Sequence, residues 1–281
     1  MRLGRLALTA FFIAALTLPS AAQSVCGEPV TLPAHDGQSV AYAFAPADPA
    51  AGPPTGALVL LAGGDGAIDL DASGCVRKQA GNSLVRSRVL FAAAGFATAL
   101  VDAPSDMRGP DGLGGFRTDP RHAEDIGRVV VDLRRRTGGP VFVVGTSRGT
   151  ISAANAAARL TGDAAPDAVV LTSPVTSGNP RGRKAWVAQS VFDLDLAAIR
   201  VPVLVVSHAS DTCVRTPPDR APAILDRTAG EREQFVSVTG GPAADTVFEG
   251  HKACEGRAPH GFVGQEAEVA AGIVRFLRGG A

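Results

Sequence analysis

The fold is decided by the stretch VFVVGTSRGT, residues 141–150, together with the alanine-rich residues 151–160 that follow it. An apolar, β-branched run that breaks at Gly-x-Ser-x-Gly and continues with helix-forming residues predicts a strand, a tight turn and a helix. Glycines suit such a turn because its backbone comes close to neighbouring strands. The turn would place the Ser147 hydroxyl at a helix N-terminus, where the N–H of Arg148 favours negative charge on a substrate oxygen.

The first 22 residues have the pattern of a secretory signal peptide. Arg2 and Arg5 form a positively charged start, residues 6–18 form an apolar core, and small residues lead to a cleavage site after Ala22. The core is too short for a typical membrane span, and an uncleaved anchor is the alternative. We therefore expect an exported protein, periplasmic or secreted, that does not remain in the membrane after cleavage.

Cleavage after Ala22 leaves 25 basic and 27 acidic residues in a mature chain of about 259 residues. This near-neutral balance provides no electrostatic footprint for nucleic acid or for an anionic membrane. The length suits one well-buried α/β domain over residues 23–281. We expect a small-molecule substrate as the binding partner, and a monomer or a small homo-oligomer as the assembly.

Apolar patterns predict strands that alternate with helices along the mature chain. The predicted strands are 28–34, 39–45, 57–61, 96–101, 141–144, 168–171, 201–206 and 234–238, and the predicted helices are 82–94, 122–136, 151–160, one within 182–199, 219–228 and 264–277. Such alternation is typical of a doubly wound, mostly parallel sheet of about eight strands with helices on both faces. The first two strands form an antiparallel edge, no large lid domain is expected, and residues 102–120 form a long loop beside an open site.

A serine hydroxyl is a poor nucleophile at its own pKa, so Ser147 needs a base and a group that orients the base. Loops that follow different strands of a parallel sheet meet at one edge. Of the five histidines, His260 follows the last predicted strand and precedes the last predicted helix. His260 is therefore the expected base, and His251 is the alternative.

The orienting carboxylate should follow the strand that ends at Val206. Asp211 lies in the loop after this strand and is the expected residue. Asp193 and Asp195 are the alternatives.

A glycine-rich turn, Ala62-Gly63-Gly64-Asp65-Gly66, directly follows the predicted core strand 57–61. A phosphate cradle is disfavoured because no Lys-Ser/Thr follows and the Gly-x-Gly-x-x-Gly spacing is absent, so we expect no cofactor. This turn and the start of the serine helix should meet at one edge of the sheet. We expect the backbone N–H of Arg148 and that of Gly64 or Asp65 to bind a substrate oxyanion.

The chain order Ser147, Asp211, His260 resembles that of the α/β-hydrolase family. The resemblance covers nearly all of the mature length: two edge strands, the glycine-rich turn after the third strand, the serine turn, an acid after the seventh strand and His-Gly-Phe at 260–262. More narrowly, the chain resembles compact secreted bacterial members of this family that are related to dienelactone hydrolases, esterases and peptidases. One departure is Ala62-Gly63-Gly64, where many lipases and esterases have His-Gly-Gly.

The resemblance implies an exported serine hydrolase that cleaves a carboxylic ester or a related acyl bond through an acyl-enzyme. A peptidase or amidase of the same fold is one alternative. A non-catalytic binding protein is another, because a fold does not by itself determine a function.

All four cysteines lie in the mature part of the chain, and an even number in an exported protein suggests disulfides. A bond between Cys213 and Cys254 would join the loops of Asp211 and His260, and Cys26 would then pair with Cys75. Other pairings and free thiols remain open.

A zinc site is the rival interpretation of two of these cysteines. It would use His208, Cys213, His251 and Cys254 as ligands. We expect no metal, because two cysteines in an oxidising compartment more often pair.

Overall fold

The computed structural model describes residues 26–179, 181–182 and 184–280. The predicted signal peptide, residues 1–22, lies outside the described residues. Within the described ranges, no helix is both long enough and apolar enough to span a bilayer.

Eight strands form one sheet in the order β1-β2-β4-β3-β5-β6-β7-β8. The strands are β1 (Glu28–Pro33), β2 (Ser39–Ala45), β3 (Gly56–Leu61), β4 (Phe96–Val101), β5 (Val141–Thr146), β6 (Val169–Thr172), β7 (Val203–His208) and β8 (Glu233–Val238). β2 pairs antiparallel with both β1 and β4, and all later neighbours pair in parallel. The mostly parallel sheet with an antiparallel edge is thereby confirmed.

Helices cover both faces of this sheet. They are α1 (Ser83–Ala93), α2 (Pro120–Thr137), α3 (Gly149–Arg159), the one-turn α4 (Ala185–Ala188) and α5 (Glu266–Leu277). The sheet contributes to two separate apolar cores, because alternate side chains of a strand point to opposite faces. One core contains Ile126 of α2 and Ile151 of α3, and the other contains Leu84 of α1 and Ile273 of α5.

The bounds of α2 follow from its sequence at both ends. Asp119 caps the helix with a carboxylate that accepts from the Arg121 N–H, and Pro120 occupies the first turn, where no N–H is needed. Gly138 ends the helix in the left-handed region, at φ +66°. The helix is therefore slightly longer than the predicted 122–136.

The helix predicted over 219–228 is wrong, whereas the helix predicted within 182–199 is present as the one-turn α4. In place of a helix over 219–228 the chain forms two short 3₁₀ turns, Pro218–Arg220 and Pro222–Ile224, because a proline at 222 lacks the N–H that a continuous helix requires. Within 182–199 the described residues contain only α4 and two 3₁₀ turns, the first of which is capped by Ser190. These short pieces between β6 and β7 contain no large lid domain in the described part.

Candidate active site

The serine turn joins β5 to α3 and holds Ser147 at φ +52°, in the left-handed region. The Ser147 N–H donates to the Thr172 carbonyl of the neighbouring strand, at 2.9 Å. A Cβ atom on Gly145 would lie 2.4 Å from the carbonyl oxygen of Gly149, and one on Gly149 would lie 2.2 Å from that of Leu61. Only glycine fits these two approaches, which is why the motif needs it on both sides of the serine.

Asp211 and His260 come together over the same edge of the sheet. His260 Nδ1 lies 2.9 Å from Asp211 Oδ2, and both side chains are buried. The other carboxylate oxygen of Asp211 accepts from the Cys213 N–H at 2.9 Å. The carboxylate therefore favours the tautomer with the proton on Nδ1, which leaves Nε2 of His260 as an acceptor.

Two hydroxyl groups that the sequence analysis missed brace this pair. Thr216 Oγ1 donates to Asp211 Oδ2 at 2.8 Å and lies 3.0 Å from His260 Nδ1. Ser173 Oγ donates to the His260 carbonyl at 2.7 Å. Ser173 directly follows β6, so its position at a strand end is a usable sequence signal, whereas no motif singles out Thr216.

Ser147 and His260 open onto one cavity of about 410 Å³. No hydrogen bond joins their side chains in the described chain, and such bonds often tighten only when substrate binds. The cavity is lined by backbone and polar side chains: Gly63, Gly64, Asp65, Gln79, Gly81, Asn82, Ser83, Thr146, Ser147, Cys254, Glu255, Gly256, Arg257, His260 and Gly261. Segments 79–83 and 254–261 therefore form its walls, and the expected loop 102–120 does not line it.

The glycine-rich turn lies directly against the serine. A Cβ atom on Gly63 would be 2.8 Å from the Ser147 Cβ, and the turn is closed by the Gly66 N–H, which donates to the Gly63 carbonyl at 3.0 Å. The N–H groups of Gly64 and Asp65 make no hydrogen bond within the described residues. Both residues line the cavity.

The Asp65 side chain stabilises this turn by accepting two hydrogen bonds. Its Oδ1 accepts from the Ala67 N–H at 3.1 Å and from Gln79 Nε2 at 2.7 Å. Because Gln79 also lines the cavity, this contact joins the turn to the opposite wall.

Positive charge lies close to the serine turn. Burial lowers the pKa of Arg148 to about 10, with repulsion from Arg215 as the second cause. The guanidinium of Arg148 therefore remains charged near neutral pH. The N-terminus of α3 favours an anion at the serine turn.

The alternative base and acids lie elsewhere. The His251 side chain is 86% exposed, with Nε2 at 3.6 Å from the Glu255 carboxylate, and His251 does not line the cavity. Asp193 accepts from the Ser190 N–H as part of a turn cap. The structure does not bring either residue to Ser147.

The disulfides have the predicted pairing, Cys26 with Cys75 and Cys213 with Cys254. The second bond joins the segment after Asp211 to the segment before His260. It also uses both sulfur atoms of the rival zinc quartet.

Among the described residues, Asp211, Cys213 and His260 each place one possible metal ligand atom within 4.8 Å of the others. The Cys213 sulfur is held in the disulfide, and the carboxylate and imidazole already contact each other. The arrangement therefore suits an oriented histidine better than a metal ion.

Comparison with known proteins identifies the architecture. No protein-family model and no curated protein matches the chain by sequence. A soluble variant of monoglyceride lipase from Saccharomyces cerevisiae is similar in structure, with a TM-score of 0.62, 12% identity, and coverage of 92% of this chain and 97% of that one.

Two further solved structures are similar. The serine hydrolase XC6422 from Xanthomonas campestris, described as lacking a lid, has a TM-score of 0.56 and 15% identity over 89% of this chain and 92% of its own. Est1E from Butyrivibrio proteoclasticus has a TM-score of 0.57 and 15% identity over 90% and 98%. At such low identity these likenesses concern the fold, and together with the sheet order they show that this chain has the α/β-hydrolase fold.

Proposed function

We propose that this protein is a serine hydrolase that cleaves a carboxylic ester or a related acyl bond. The observation that carries the proposal is the contact between Asp211 and His260, which lies beside the cavity that also holds Ser147. A buried carboxylate that orients a histidine, next to a serine on a strained turn, is the arrangement that activates a hydroxyl nucleophile. The esterases and lipases of similar fold support this reading.

In the proposed reaction, Ser147 Oγ attacks the carbonyl carbon while His260 Nε2 takes the hydroxyl proton. Asp211 holds the ring and stabilises the imidazolium that forms. The oxyanion accepts hydrogen bonds from the Arg148 N–H and from that of Gly64 or Asp65. The tetrahedral intermediate then collapses, the leaving group takes the proton from Nε2, and water hydrolyses the acyl-enzyme by the same steps.

The lining of the cavity points to small or medium acyl substrates. It contains no large aliphatic or aromatic side chain among the described residues. A long acyl chain gains about 0.8 kcal/mol per methylene only where the chain leaves water for an apolar surface. We therefore expect catalytic efficiency to change little, or to fall, as an acyl chain is lengthened.

We also propose that the protein works outside the cytoplasm. Disulfides persist in oxidising compartments, and the structure contains two. This agrees with the signal peptide that the sequence predicts.

The deciding experiment uses a fluorophosphonate probe and a panel of p-nitrophenyl esters, thioesters and aminoacyl arylamides. Wild type should be labelled once per chain and should hydrolyse short esters, whereas Ser147→Ala should do neither. Equal labelling of Ser147→Ala would refute the nucleophile assignment. Faster turnover of arylamides than of esters would favour the peptidase alternative.

A further inference from the structure

Arg117 is a buried cation that the proposed reaction has not yet used. It lies in the 3₁₀ helix Gly114–Thr118, and its side chain is only 1% exposed. Arg117 forms no salt bridge within the described residues, although the charge of the Asp65 carboxylate acts on it. Burial lowers the pKa of Arg117 well below its usual value, and repulsion from Arg148 adds to this effect. A charge kept in such a place needs strong local compensation.

That compensation comes from the elements that surround Ser147. Arg117 Nη1 donates to Ser152 Oγ of α3 at 2.8 Å. Nη2 faces three successive carbonyl oxygens of the glycine-rich turn, those of Ala62, Gly63 and Gly64, at 3.3, 3.4 and 3.4 Å. The Arg117 guanidinium therefore connects this turn to α3, the helix that follows Ser147.

Two of these three carbonyls belong to the peptide units of the candidate oxyanion donors. The Gly63 carbonyl shares a peptide unit with the Gly64 N–H, and the Gly64 carbonyl shares one with the Asp65 N–H. A cation at a carbonyl oxygen polarises the peptide unit and makes its N–H a stronger donor. The three contacts are longer than ordinary hydrogen bonds, so their effect is mainly electrostatic.

We propose that Arg117 is a positioning residue for oxyanion stabilisation, which polarises the Gly64 and Asp65 amides from behind and fixes their turn against α3. This role rests on the proposed hydrolase function. Its effect is specific to the transition state, because the negative charge forms only when Ser147 attacks.

The test compares Arg117→Met and Arg117→Lys with Arg88→Met and Arg88→Lys. Arg88 is a matched control because it is also buried and also donates to backbone carbonyls, those of Cys26 and Ala43, away from the cavity. Active sites are counted with the fluorophosphonate, so that kcat refers only to folded enzyme. Affinity for a trifluoromethyl ketone, which forms a tetrahedral oxyanion on serine, is measured beside KM.

Arg117→Met should lower kcat per active site by about 10- to 100-fold and weaken ketone binding to the same extent, with KM nearly unchanged. Arg117→Lys should recover part of kcat at low pH and lose it as pH rises, because a buried ammonium gives up its proton more easily than a guanidinium. The Arg88 variants should lose thermal stability but keep kcat per active site.

An unchanged kcat per active site in Arg117→Met would overturn the role of Arg117 while the hydrolase proposal stands. Equal losses in the Arg117 and Arg88 variants would also overturn it, because they would indicate a general packing effect. If Arg117→Met does not fold, the pH profile of Arg117→Lys decides, and a profile parallel to wild type counts against the role. A wild type that neither labels nor hydrolyses esters would refute the proposed function, and this role with it.

Discussion

The molecule contains two serine–histidine pairs, and the better-bonded pair is not the candidate active site. His122 Nε2 lies 2.8 Å from Ser152 Oγ, a direct hydrogen bond in the interior. Ser147 and His260 share a cavity without such a bond. By the serine–histidine distance alone, the His122 pair would be chosen.

The two pairs differ in what the second ring nitrogen of the histidine, Nδ1, contacts. His260 Nδ1 contacts Asp211, whereas His122 Nδ1 has no hydrogen-bond partner in the described part of the chain. Burial, with repulsion from Arg117 as the second cause, lowers the pKa of His122 to about 3, so this ring cannot hold a proton taken from a serine near neutral pH. A catalytic pair thus needs a carboxylate and an opening for substrate, and the hydrogen bond can form later.

Replacing the two serines gives the largest contrast. Ser147→Ala should lower turnover by at least about 10⁴-fold, and adding His260→Ala should cause little further loss because the two act as a unit. Ser152→Ala should still be labelled by the fluorophosphonate and should lose less than about tenfold, since it removes one neutral partner of Arg117. Labelling that is lost in Ser152→Ala and kept in Ser147→Ala would reverse the assignment of the pairs.

The glycine-rich turn, whose amides we expect to bind the oxyanion, lies against Ser147, and a single proline tests that role. Asp65→Pro deletes the Asp65 N–H and should lower turnover by about 100-fold if that amide is the donor. Asp65→Asn is the control, because its amide oxygen can still accept from Ala67 and Gln79. A folded Asp65→Pro enzyme with near wild-type kcat would assign the donor to Gly64.

Only the His260 pair is braced by a disulfide, so the two disulfides should differ in their effect on activity. They span 41 and 49 residues, and each should contribute about 4 kcal/mol of stability at most in the chain-entropy model. Cys213→Ser/Cys254→Ser should lower both thermal stability and kcat, whereas Cys26→Ser/Cys75→Ser should lower stability alone. Equal kcat in the two double variants would show that the Cys213–Cys254 bond does not hold the Asp211 loop in place. Peptide mapping without reduction checks the pairing.

Thr216→Val tests how much the Asp211–His260 geometry depends on its neighbour. The variant removes a hydrogen bond to Asp211 and should lower kcat by about 3- to 10-fold, the equivalent of one ordinary hydrogen bond. Thr176→Val is a matched control because Thr176 is equally buried and its hydroxyl has no partner in the described residues. A similar loss in both variants would assign the effect to packing.

His122 should affect the free energy of unfolding and not the turnover rate. Its folded pKa of about 3 lies below the ordinary value of 6.5, so the unfolded chain binds the proton first as pH falls. The free energy of unfolding should therefore decrease between pH 6.5 and 3, and His122→Gln should flatten that decrease.

Contacts with Asp125 and Asp106 raise the pKa of His35 against the effect of burial, so its stabilisation is lost only as pH rises above 6.5. Urea titrations at pH values from 3 to well above 6.5 measure both effects.

The sequence by itself determined the elements that depend on short-range pattern. The alternation of apolar runs predicted the eight strands, and Gly-x-Ser-x-Gly predicted the serine turn, because both depend on the backbone of a few adjacent residues. Chain order alone pointed to Asp211 and His260, since parallel strands bring their ends to one edge. The helix predicted over 219–228 failed for a local reason, the proline at 222.

Only the tertiary structure decided which polar groups meet at the site. Thr216 and Arg117 have no motif, and the contacts of Thr216 with His260 and of Arg117 with the glycine-rich turn join segments more than 40 residues apart. The walls of the cavity come from segments 79–83 and 254–261, which are far apart in the chain and adjacent only after folding. His122 shows the same limit, since only the structure reveals its burial, its contact with Ser152 and an Nδ1 without a hydrogen-bond partner among the described residues. The sequence shows which chemistry each side chain could perform. Packing in the folded chain sets the burial and the contacts that decide which role the side chain takes.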